Sequence, residues 1–142
     1  MDVENLLANL HKVRRTGDGR WVACCPAHED RSPSLSVRAL EDGRTLIHCF
    51  AGCSIHSVVA SLGIELSDLF PDKPDRAGWS GSKRIARPFS GEDALRCVAF
   101  EATLVTLVAG DIVAGKTPTE SVLARVTLAA DRISMAMEVV RG

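Results

Sequence analysis

Tyrosine is absent from this 142-residue chain, and aromatic residues make up only 4% of it. So few rings leave little for a base-stacking platform, and most of them are needed in the core. Excess positive charge is missing too. Seventeen Lys and Arg face eighteen Asp and Glu, a formal net charge of −1, so there is no global attraction to nucleic acid and any such contact must come from a local patch. No uninterrupted apolar run reaches the roughly 18 residues of a membrane span, because Glu101 and Asp111 break the most apolar stretch. A basic start followed by an apolar run is also missing, and the cysteines number five. An odd count without a signal peptide argues against a secreted disulfide framework and makes a reducing cytoplasm the expected compartment. Hydrophobic residues make up 46% of the chain, enough for the core of one domain or of two small ones.

What the chain does have is Cys25-Pro26-Ala27-His28, answered by His48-Cys49-Phe50-Ala51-Gly52-Cys53, with strand-like sequence between. Each pair is a tight turn that aims two side chains at one spot, so Cys25, His28, Cys49 and Cys53 supply the four ligands of a structural Cys₃His zinc site. Pro26 stiffens the first turn and Gly52 permits positive φ in the second. Cys24 reads as a strand residue, Cys97 as a small buried hydrophobe, and His11 and His48 as structural or exposed. His56 is the alternative fourth ligand, should Cys53 not fill that place.

The run Cys25-Pro26-Ala27-His28-Glu29-Asp30-Arg31-Ser32-Pro33-Ser34-Leu35-Ser36-Val37, followed by His48-Cys49-Phe50-Ala51-Gly52-Cys53, resembles the CHC-type zinc-binding domain of bacterial, phage and plasmid DNA primases. The resemblance covers about the first half of the chain. Three residues separate the last two cysteines, where cellular primases usually have two; this is similar to the phage and plasmid branch. The resemblance implies zinc as cofactor and a DNA-reading role beside a separate catalytic unit.

Read in order, Val3, Leu6, Leu7 and Leu10 fall at helical spacing. Arg20–Cys24 returns from a glycine-rich turn and delivers Cys25 to the metal, and a second hairpin, Ser34–Val37 with Thr45–His48, delivers Cys49. Ser54 caps a helix from about Ile55 to Leu62. Residues 71–89 form a basic Pro/Gly/Ser-rich linker with Trp79 as its one stacking residue. From Ser90, Leu95, Val98, Ala102, Val105, Ala109 and Ile112 repeat by three and four, as do Leu123, Val126, Ala130, Ile133, Met137 and Val140 after Thr117-Pro118-Thr119-Glu120. The expected fold is therefore α+β: a zinc-ribbon-like antiparallel sheet with short flanking helices over 1–70, the linker over 71–89, and an antiparallel α-helical hairpin over 90–142. Phe100, Leu104, Leu107, Val108 and Val113 fall off the seam and need cover. A second copy, another protein or the zinc domain would each provide it.

The candidate nucleic-acid contacts are Arg14, Arg15, Arg20, Arg31, Arg38 and Arg44, with Arg31 the best placed beside the metal knuckle. Trp21 and Phe50 are expected in the core. A zinc enzyme keeps a coordination position open for water, and nucleotide polymerisation needs a carboxylate constellation for Mg²⁺; neither pattern is found, so a non-enzyme is expected. The leading expectation is a stand-alone zinc-binding, primase-like protein that contacts single-stranded DNA in phage or plasmid replication, alongside a separate replication protein. The alternative is an adaptor or inhibitor from a mobile element whose helical half grips a host or viral protein.

Overall fold

The computed structural model describes residues 2–70 and 88–141, so most of the basic linker, including Trp79, lies outside the described residues. Four strands, β1 (His11–Gly17), β2 (Arg20–Cys24), β3 (Leu35–Ala39) and β4 (Thr45–Cys49), form one antiparallel sheet in sequence order. Lys12 has φ of 52°, where the register shifts between His11 and Arg14, so β1 enters the sheet through a bulge.

Strand alternation divides the side chains between two faces. Ala23, Leu35, Val37 and Ile47 bury against Leu6 of helix α1 (Val3–Ala8), Val58 and Val59 of helix α2 (Ile55–Ser61), and Leu69 of a short 3-10 helix (Leu66–Leu69). Trp21 packs half-buried at the edge of this cluster. Ser54 caps α2 as expected, its hydroxyl accepting from Ser57 N at 3.1 Å.

The opposite face carries Val22, which packs with Phe50, Phe89, Ala94, Cys97, Val98 and Ala136. Helices α3 (Gly91–Val113) and α4 (Glu120–Arg141) supply the last four of these. The helical half is therefore docked on the sheet, and Phe89, read from sequence as the end of a linker, is 8% exposed within this second core. The rings of His48, Phe50 and Phe89 meet there at centroid distances of 4.7 to 6.3 Å. Burial of the His48 imidazole lowers its pKa.

Two expectations for the hairpin change. Helix α4 begins at Glu120, its first turn held by Thr119, whose carbonyl accepts from Leu123 N at 3.0 Å and whose hydroxyl accepts from Val122 N at 3.4 Å. The capping hydroxyl is thus that of Thr119, two residues later than the Thr117 the sequence offers, and Pro118 precedes the helix. The packing seam is also rotated. Helix α3 buries Ala94, Cys97, Val98 and Glu101, and α4 buries Ala129 and Ala136. Leu95, Ile112, Leu123 and Met137, expected on the seam, are 65%, 51%, 49% and 49% exposed. Wedging α3 between the sheet and α4 turns its buried face away from the heptad line. Phe100 and Leu107 stay exposed, as the sequence suggested, whereas Leu104 and Val108 are half-buried.

One carboxylate bridges the helices. Glu101 meets Arg125 at 2.7 Å and Arg132 at 2.6 Å while only 6% of it is exposed. Burial alone would raise its pKa, but the two guanidinium groups hold the carboxyl below its ordinary value. Among the described residues, no helix is long and apolar enough to cross a membrane.

Candidate metal centre and basic surface

Cys25 lies just past the end of β2 and Cys49 closes β4, so the two hairpins bring their knuckles together at one end of the sheet. Gly52 takes φ of +93° and donates its N–H to Cys49 O at 3.1 Å, which turns the chain back so that Cys53 faces the same point. The ligand atoms of Cys25, His28, Cys49 and Cys53 all lie within 4.8 Å of one another, and His28 Nδ1 is 3.2 Å from Cys53 Sγ. This is the size and donor set of a single tetrahedral zinc shell. His56 is exposed on α2 and takes no part in the group.

The thiols polarise one another. Cys25 is held protonated, first by its hydrogen bond to Cys49 and then by burial, while the same hydrogen bond lowers Cys49 to about 5. Burial and the Cys49 charge raise Cys53, with the Arg132 guanidinium of α4 pulling the other way. Three crowded thiols do not all ionise without a compensating cation, and a zinc ion bound by Cys25, His28, Cys49 and Cys53 supplies that charge.

Asp30 organises the surroundings of the site. Its Oδ2 accepts from Cys25 N at 2.9 Å and from Ser34 Oγ at 2.6 Å, and its Oδ1 lies 3.6 Å from His28 Nε2. The carboxylate thus faces the imidazole nitrogen opposite the one that faces the ligand group. Its position two residues after His28 was the available signal. Ser34 Oγ in turn lies 3.8 Å from Cys49 Sγ.

The six arginine candidates fall into distinct environments. Arg20 and Arg38 are cross-strand partners on the face that the helices cover. Arg20 lies 3.9 Å from the buried Asp93 of α3, and Arg38 donates to Pro88 O at 2.8 Å. Arg15 pairs with Asp18 at 2.8 Å and Arg44 with Asp42 at 2.7 Å. Arg14 and Arg31 are exposed, and among the described residues neither pairs with a carboxylate. Lys12 joins them: its Nζ donates to Arg31 O at 2.7 Å, tying the bulge of β1 to the first knuckle. The expected sheet arginines therefore do not form one patch. The open basic strip runs instead along the β1 edge to the knuckle. Cys24 and Cys97 are buried outside the metal group, as expected.

Residues 1–68 match the family model of the CHC2 zinc finger. The N-terminal half is a CHC2 zinc finger, a primase-type zinc-binding module, with Cys25, His28, Cys49 and Cys53 positioned to bind zinc. No curated protein and no solved structure gives a match.

Proposed function

We propose that this protein is a non-catalytic, primase-like zinc module that touches single-stranded DNA in phage or plasmid replication and works beside a separate catalytic protein in the cytoplasm. The observation that carries the reading is the open strip of Lys12, Arg14 and Arg31 fixed to the metal knuckle. Three cations without carboxylate partners near that knuckle would suit a phosphate backbone, whereas Arg15 and Arg44 are already compensated. The non-catalytic part rests on the donor set. Four protein ligands, three of them thiolates, leave no position for a reactive water on zinc.

Titration of a labelled single-stranded oligonucleotide at several salt concentrations tests the reading. Phosphate contacts make affinity fall as salt rises, and the paired Arg14→Glu and Arg31→Glu variant should weaken binding and flatten that slope. Equal affinity of the variant at every salt concentration would remove the strip from consideration.

A second reading is favoured by the exposed Phe100, Leu107 and Val113 of α3, at 44%, 67% and 89%. Here the helical half grips a host or viral protein as an adaptor or inhibitor, and the zinc sheet serves as its scaffold. Absence of any oligonucleotide binding at low salt, from zinc-loaded protein, would favour it.

A further inference from the structure

The heptad line displaced from the packing seam is not scattered over the hairpin. Leu95, Ala102 and Ala109 recur every seven residues on α3, and Leu123, Ala130 and Met137 do so on α4. At about 100° per residue a step of seven drifts by only about 20°, so each trio stays on one side of its helix. Phe100 lies over Arg125, 5.9 Å from ring centroid to guanidinium carbon, which marks one flank of the hairpin. Both trios fall on the other flank. Gly91 sits beside Val140, close enough that a Cβ there would meet its Cγ1 at 3.5 Å, and this sets the levels of the antiparallel helices. Leu95 then lies level with Met137, Ala102 with Ala130, and Ala109 with Leu123.

We infer that this flank pairs with a second copy of the chain, hairpin against hairpin, in an antiparallel four-helix arrangement about a two-fold axis through the Ala102 and Ala130 rung. Three observations select a copy of itself as the occupant. The stripe and its borders, Ala99, Thr106, Thr127 and Ser134, hold no charge, so two copies meet without like-charge repulsion. The rungs are complementary under a two-fold: alanines at the axis allow close approach, and the bulky Leu95 and Met137 rung meets the partner's slimmer Ala109 and Leu123 rung. The ends match in sign. The two-fold brings Glu120 opposite the partner's Arg141, and among the described residues neither has an ion pair within the chain.

The area suffices. A 23-residue helix is about 34 Å long. Two helices side by side present on the order of 600 Å² per partner, at the low end of specific interfaces. The Phe100 flank is a poorer candidate, because Met135 reaches the second knuckle there, beside Gly52.

Sedimentation equilibrium of the zinc-loaded full chain tests this. The expected result is a monomer–dimer equilibrium. Ala102→Glu, which sets two carboxylates beside the axis, should raise its dissociation constant at least about 100-fold, while Leu107→Glu on the opposite flank leaves it unchanged. Glu120→Arg should weaken the dimer and addition of Arg141→Glu restore it. Should Ala102→Glu lose helicity by circular dichroism, the exposed pair Leu95→Gln and Met137→Gln carries the same test. A monomer at several hundred micromolar, a dimer that survives Ala102→Glu or the glutamine pair, or separation by Leu107→Glu alone would each overturn the inference. So would capture of a different protein on the flank by a chain that never self-associates.

Discussion

Asp30 shows how much a single carboxylate does at the metal centre. It accepts from the backbone of one ligand and from Ser34, and it faces the imidazole of another ligand. Asp30→Ala should therefore keep all four ligands yet weaken zinc affinity by about 10- to 100-fold, measured by competition with a chelating dye. Cys25→Ser should go further and leave less than one zinc per chain by metal analysis, with the sheet unfolded while α3 and α4 keep helical structure. Glu101 makes a separate prediction. The two guanidinium groups hold its carboxyl below the ordinary value in the folded protein, so its contribution is fully present above the unfolded value and is lost as pH falls through the folded one. Glu101→Gln should cost about 3 kcal/mol at pH 7 in urea unfolding, because it leaves two guanidinium groups partly buried without a counter-charge. The penalty should shrink in acid, where the wild-type carboxyl is itself neutral. The sequence displayed Glu101 as an interruption in an apolar stretch; its partners 24 and 31 residues away were invisible without the hairpin's register.

Elements were legible where local chemistry decides them. The strand order follows from two hairpins with glycine turns, and Ser54 and Ser90 cap their helices, Ser90 Oγ accepting from Asp93 N at 3.1 Å. The metal knuckles were legible because ligand spacing is a local property. The helical seam was not. A repeat of three and four says that a helix has an apolar face, but α3 has two neighbours at an angle to each other, and its buried face is a compromise between them. Phe89 was missed for a related reason: a phenylalanine after proline at the end of a polar stretch carries no periodic signal. Phe89→Ala should cost about 3 kcal/mol, the usual scale for a buried phenylalanine. It should also speed amide exchange across α3 and α4 before the sheet is affected.

For the whole molecule, the docked helices decide which cations remain available. The sequence offered six arginines, several of them on hairpins, but could not say that Arg20 and Arg38 would lie beneath α3 and the segment leading into it. Reversing Arg14 and Arg31 should therefore lower oligonucleotide affinity several-fold more than reversing Arg15 and Arg44 in a low-salt titration. Loss of binding from the second pair alone would move the contact to the hairpin turns.

Phe50 sits between two zinc ligands in sequence and at the heart of the helical core in space. The grip on metal and the docking of the hairpin are consequently conjugate: each lowers the free energy of the other, and thermodynamic reciprocity makes the two effects equal in size. A partner that pries α3 and α4 from the sheet would loosen the ion, and a thiol-competing chelator would set the helices free. Zinc affinity then becomes a gauge of what the distant helices are doing, readable with a metal indicator and no label on the hairpin.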